Sequence, residues 1–305
     1  MSEEKPRYLL FLGCVIPYRL SSYEVSARKV LTRLGVELVE MPEYNCCGFP
    51  IDPLDHYLAL TLAARNLCIA EREKLNILTL CNGCFGTLNK ANKTLKEDKE
   101  ERERINKYLA EFGMEFKGTI EVKHLVHVLA EDVGFEKIKD AVKKPLSSLR
   151  VAQHTGCHLV RPKKLIEKDD PENPTLLKEL IKLTGAKPLD YIDEAECCGN
   201  PIIGVNESIP FQMAKEKLEH IRAVGAQALI TVCPFCHMMY DLNQPRIERA
   251  FNEKFNIPVL HYPQLLGLAM GFTPEELLLN ELRVKPADLL NEFQRGKGVK
   301  WLKKN

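Results

Sequence analysis

The chain is 305 residues long, 45% hydrophobic and 28% charged, with a formal net charge of +1. That length exceeds the usual domain size of roughly 100–200 residues and predicts two units, while the balanced charge lacks the basic footprint of a nucleic-acid binder. The most apolar early stretch, Leu9 to Tyr18, falls short of the roughly 18 residues that cross a bilayer, so no membrane span is expected. Glu3 and Glu4 do not look like the start of a signal peptide. The chain is therefore expected to be cytosolic, where its 11 cysteines read as metal ligands or redox groups rather than disulfides.

Tyr8 to Leu12 is an apolar run of strand type that stops at Gly13 and Cys14. Ser21 and Glu24 form a capping-box signature for a helix that Gly35 ends. A second strand, Val36 to Met41, leads into Cys46, Cys47 and Gly48. The amphipathic stretch Leu54 to Lys74 follows, with Cys68 beside Leu60, Ala64 and Leu67 as a buried small hydrophobe. Ile77 to Leu80 is a strand that delivers Cys81 and Cys84. The charge run Glu97 to Arg104 reads as a solvated helix face, and Lys139 to Ser148 is the best linker.

The second half answers in the same order. Arg150 to Gln153 is a strand before Cys157; the charged, Pro-rich insertion Val160 to Pro174 is a surface loop. A helix runs from Asn173 and Pro174 to Gly185, then come Cys197, Cys198 and Gly199, a helix ending near Gly225, and strand Ala228 to Val232 before Cys233 and Cys236. "VKHLVHVLA" from Val122 matches "VLHYPQLLGLA" from Val259, which places His124 opposite His261, both read as structural. Past Glu292, Arg295, Lys297, Lys300, Lys303 and Lys304 surround Trp301 in a tail that reads equally as a docking segment or a solvated end.

One cysteine pattern, a single Cys, a Cys-Cys-Gly and a CxxC, is thus written twice, at an offset of 143 to 152 residues. Such a repeat predicts duplication of a half-length unit. The fold class expected is α/β: two similar Rossmann-like parallel-sheet units related by a pseudo-twofold, residues 1–145 and 146–305, the second carrying the basic tail. Ligands of such folds collect at the carboxyl ends of strands, where every repeated cysteine group falls.

Thiolates suit zinc, copper(I) and iron–sulfur clusters. A structural zinc site takes four ligands from short-spaced pairs, whereas each unit offers five, and adjacent cysteines in extended chain point to opposite sides. That favours a larger cluster, with Gly48 keeping Cβ bulk away. The competing reading is a redox dithiol at each CxxC, which leaves the other repeated cysteines without a use. No ferredoxin-type cysteine run and no G-x-G-x-x-G is present.

The two CCG units, with "FLGCVIPYR", "AARNLCIAE", "CNGC" and "HTGCHLVRP", resemble the cysteine-rich CCG family, and nearly the whole length is similar to the family of heterodisulfide reductase B subunits. That resemblance implies two noncubane [4Fe-4S] clusters, one on Cys14, Cys46, Cys47, Cys81 and Cys84, the other on Cys157, Cys197, Cys198, Cys233 and Cys236. It implies homolytic cleavage of a small-molecule disulfide, in methanogens that of coenzyme M and coenzyme B, with no side-chain nucleophile. It also implies partners within a reductase complex: a ferredoxin-like C subunit and a flavin-carrying A subunit. Because both natural thiols are anionic, Arg19, His154, His158, Arg161 and His237 are candidate substrate contacts, or hydrogen-bond donors to cluster sulfur. The alternative within the same family is an electron-transfer protein that relays electrons to quinone or a partner without cutting a disulfide.

Overall fold

The computed structural model describes residues 5–287, so the basic tail with Trp301 lies outside the described residues. Strands β1 (Arg7–Phe11), β2 (Glu37–Val39), β3 (Asn76–Thr79) and β4 (Val122–His124) precede β5 (Arg150–His154), β6 (Lys187–Leu189), β7 (Ala228–Thr231) and β8 (Val259–His261). They form two four-stranded sheets in the same order, β2-β1-β3-β4 and β6-β5-β7-β8, with every pairing parallel. The register repeats as well: Phe11 stands beside Thr79 as His154 stands beside Thr231. The expected α/β duplication is therefore what the chain adopts.

The central strands are buried along most of their length, as sheets covered on both faces by crossover helices must be; in β7 the whole run ALIT is buried. In each unit the chain leaves the first strand to one side and returns on the other. The carboxyl ends of β1 and β3, and of β5 and β7, therefore part around a crevice, the place where such sheets bind ligands.

The crossover helix His56–Glu73 starts at Asp55, which accepts the Leu58 N–H at 2.9 Å, and ends on Lys74 in the left-handed conformation. Its counterpart is helix Ser208–Ala223. The capping box expected at Ser21 and Glu24 does not form. Helix Ser21–Arg33 is entered from Leu20 with no side-chain cap, because Ser21 Oγ donates to Glu281 at 2.7 Å and Glu24 pairs with Arg28 at 2.8 Å. The charge run contains a helix break: Asp98 ends helix Asn82–Glu97 and caps helix Lys99–Ala110. The insertion after Val160 lies on helix Asn82–Glu97, where Asn89 and Lys93 donate to the carbonyls of Leu165 and Lys164.

The two units exchange their closing helices. Helix Tyr262–Ala269, after β8, packs on helix Ser21–Arg33, while helix Phe135–Ala141, after β4, packs on helix Leu176–Leu183. One continuous core runs through both halves, and each fully buried Leu, Ile or Phe in it stabilises the fold by about 1.5–3 kcal/mol. Cys68 is buried there, and burial pushes its thiol pKa up to about 12.

Candidate metal centre

Each cysteine group hangs from a strand end. Gly13 and Cys14 follow β1, and Cys81 follows β3 as the cap of helix Asn82–Glu97, whose first turn contains Cys84. The second unit repeats this with Cys157 after β5 and with Cys233 capping the short helix Pro234–His237, which contains Cys236. The Cys-Cys-Gly loops follow β2 and β6. In them Gly48 and Gly199 take φ of +96° and +72°, and a Cβ would lie 2.6 Å from Ala59 O or 2.8 Å from Pro210 Cβ. Only glycine fits that close approach.

The adjacent cysteines divide their contacts. Cys197 Sγ is 3.9 Å from Cys157 Sγ, while Cys198 interacts with Cys236; likewise Cys47 interacts with Cys84, and Cys46 faces Cys14 electrostatically. The pair thus links the single cysteine on one side to the CxxC on the other. Backbone N–H groups point at the same sulfurs, Gly48 to Cys46 at 3.5 Å and Gly199 to Cys197 at 3.3 Å. Cys81 and Cys233 interact across the boundary between units, so the two sets converge there.

All these thiols are free, and the 3.9 Å between Cys157 and Cys197 is far beyond a disulfide bond. Sulfurs this close cannot all ionise without a cation among them. The conflict is visible within each set: hydrogen bonds from Cys157 and Cys198 hold the Cys197 thiol low, while the same bond pushes Cys157 up. A donor set of soft sulfurs, five from each unit, fits an iron–sulfur cluster.

Where the units meet, a crevice beside the second set is lined by Phe49, Asn82 and Gly83 of the first unit and by His158, Pro201 and Phe235 of the second. Phe49 meets the His158 ring edge-on at 4.9 Å, and Asn82 Nδ2 donates to Thr155 O at 2.7 Å. Of the five side chains considered as substrate contacts, His158 lines this crevice. His154 and His237 are fully buried; His237 stacks on His261 at 4.0 Å and faces Asp241 at 3.6 Å. Arg161 binds the carbonyls of Ala195 and Pro171 and the carboxylate of Glu172. Arg19 is exposed at the end of the short helix Ile16–Arg19. His124 and His261 each precede and cap the helix that follows, at Val126 N–H and through Gln264.

Sequence reasoning missed several residues that shape the site. Tyr23 OH donates to Val232 O at 3.0 Å across the units, and its ring stacks on His261 at 3.7 Å. Asn66 and Lys217, each in the middle of a crossover helix, hold the backbone at the entry to a Cys-Cys pair, Asn66 at Asn45 and Cys46 and Lys217 at Glu196. A polar residue in an otherwise apolar helical stripe was the available signal.

Comparison with known proteins agrees with this geometry. The cysteine-rich domain family known as CCG matches residues 8–89 and 151–241, one match per unit. The chain belongs to this cysteine-rich CCG family, which includes the B subunits of heterodisulfide reductases. It is 40% identical over 285 residues, 92% of the chain and 95% of the relative, to the B subunit of the ferredoxin/F420H2-dependent CoB-CoM heterodisulfide reductase of Methanosarcina acetivorans. The corresponding ferredoxin:CoB-CoM protein of Methanosarcina mazei is 39% identical over the same shares. The 8-methylmenaquinol:fumarate reductase membrane anchor subunit of Wolinella succinogenes is 35% identical over 90% of the chain and 95% of the relative. A crystal structure of a hypothetical Helicobacter pylori protein matches with a TM-score of 0.73 at 16% identity, which bears on fold alone; it covers 92% of the chain, and the chain spans 52% of its length. These relatives make the chain an iron–sulfur component of an oxidoreductase complex. No helix among the described residues is long and apolar enough to cross a membrane.

Proposed function

We propose that the chain reductively cleaves a small-molecule disulfide to two thiols, the activity implied by the names of its 40% and 39% identical relatives. The observation that carries this reading is that two complete five-cysteine sets converge at the Cys81 and Cys233 contact. Cys14, Cys46, Cys47, Cys81 and Cys84 would hold one noncubane [4Fe-4S] cluster, and Cys157, Cys197, Cys198, Cys233 and Cys236 the other. Bound there, the two clusters supply one electron each, which matches the two electrons and two protons that turn a disulfide into two thiols.

The chain's own residues do the rest. Phe49, Pro201 and Phe235 wall the crevice with apolar surface, and His158, half-buried at its edge, offers an imidazole that can hold or pass a proton. The electrons come from partners in the complex, a ferredoxin-like C subunit and a flavin-carrying A subunit, in the cytoplasm. A relay reading, in which the same clusters pass electrons to quinone or a partner oxidoreductase, is favoured by one observation, the 35% identical fumarate reductase anchor protein.

The two separate in one experiment. Anaerobically purified protein with about eight irons is given a reduced viologen dye and a panel of disulfides, the mixed disulfide of coenzyme M and coenzyme B among them. Release of two thiols per disulfide is expected. Intact, reducible clusters with no thiol from any disulfide would leave the relay reading standing.

A further inference from the structure

The equivalence of the two cradles breaks at two buried positions. The offset that carries Cys46 onto Cys197 also carries Asn66 onto Lys217, and the strand register carries Phe11 onto His154. In the first unit Asn66 ties down the loop as a neutral amide, accepting from Asn45 N at 3.1 Å and donating to Cys46 O at 3.2 Å. In the second unit the same place is taken by an ammonium only 1% exposed. Lys217 Nζ donates to the carbonyls of Asp193, Glu196 at 3.0 Å and Glu194 at 3.4 Å, and lies 3.5 Å from His154 Nδ1.

These hydrogen-bond partners are all neutral. A buried cation without an anionic partner costs several kcal/mol, so the position asks for negative charge nearby. Burial works against the charged form; opposing it are the Asp193 carboxylate and then, on the sulfur side, Cys236 and Cys198, with Glu196 after them, all within electrostatic range of Nζ. His154 stands close by: one of its ring nitrogens is within 4.8 Å of the Cys198 and Cys236 sulfurs. An ammonium only donates, so Nδ1 turns its lone pair to Lys217 and the ring proton sits on Nε2, an atom with no partner in the protein. A protonated Nε2 cannot ligate iron and is left free to donate to the sulfur of a bound cluster. Phe11 and Asn66 give the first cradle neither the donor nor the charge.

We propose that Lys217, acting through His154, sets the second cradle at a higher reduction potential than the first, so that a cluster on Cys157, Cys197, Cys198, Cys233 and Cys236 takes an electron first. A fixed cation and an N–H donor beside cluster sulfur stabilise the reduced, more negative state. Lys217 is a positioning residue here. The inference rests on the two-cluster reading, and its test is separable from that reading.

The test is a redox titration, followed by electron paramagnetic resonance, of anaerobic protein as wild type, K217Q and K217R, with iron and sulfide counted in each. K217Q keeps hydrogen bonds to the loop and loses the charge; K217R keeps the charge. Two distinct midpoint potentials are expected in the wild type, the higher falling in K217Q with the lower unmoved, and recovering in K217R. Two full clusters with unmoved potentials in K217Q would overturn the inference. So would loss of half the iron from both variants, which would make Lys217 a loop tie alone. Wild-type protein without iron would instead sink the two-cluster reading beneath it.

Discussion

Replacing Asn66 with leucine removes an amide and keeps its approximate volume. The amide is fully buried and satisfies the Asn45 N–H at 3.1 Å and the Cys46 carbonyl at 3.2 Å. Leucine leaves both backbone groups without partners and blocks the space through which water could replace them. A stranded buried polar group costs about 1–3 kcal/mol, and because Asn45 itself is only half-buried the lower part of the range applies, about 2–4 kcal/mol for the pair. With a urea dependence of about 3 kcal/mol per molar for a chain of this size, the unfolding midpoint falls by about 1 M. The assay is urea unfolding of anaerobic protein followed by circular dichroism, with iron counted on the same sample. An unchanged midpoint in N66L would show that these loop groups are already solvated and would refute the reasoning.

Gly48→Ala forces a side chain onto φ of +96° with its Cβ 2.6 Å from the Ala59 carbonyl. The left-handed conformation alone costs about 1–2 kcal/mol, so Tm should drop by at least about 2 °C; an unchanged Tm by differential scanning fluorimetry would contradict the close approach. His127 is 2% exposed, and burial lowers its pKa to about 4 from about 6.5 when unfolded. The unfolded chain therefore takes up the proton first, and stability present above pH 6.5 is lost as pH falls towards 4. Between pH 7 and 5 this group removes about 2 kcal/mol. H127Q should flatten urea stability against pH by that amount, and superimposable curves would rule the assignment out.

Much of the architecture was legible because duplication writes each signal twice. The alternation of apolar runs and helical stretches, checked against its own copy, placed strands such as Ile77 to Leu80 and Ala228 to Val232 within a residue of β3 and β7. What failed at Ser21 was local: the capping box is a statement about one turn, and a distant Glu281 claimed the hydroxyl. The convergence of Cys81 and Cys233 was expected only as a shared crevice, since no spacing reports how two units pack. His154 and His237 looked like crevice groups because they neighbour cysteines in sequence, yet strand and helix geometry turns both inward. Phe49 and Tyr23, which reach across to the other unit, carry no sequence signal, because a contact between units depends on docking rather than periodicity.

The exchanged closing helices have an evolutionary consequence. Each unit packs a helix that follows its fourth strand on a helix that follows the other's first strand, so a single unit would need a second copy of itself to complete its core, and a symmetric homodimer of such copies would have two identical sites by construction. Joining the copies in one chain lifts that constraint. Mutation can then reach one site without touching the other, and the departures at Phe11 and His154, and at Asn66 and Lys217, are differences that a homodimer could not have held.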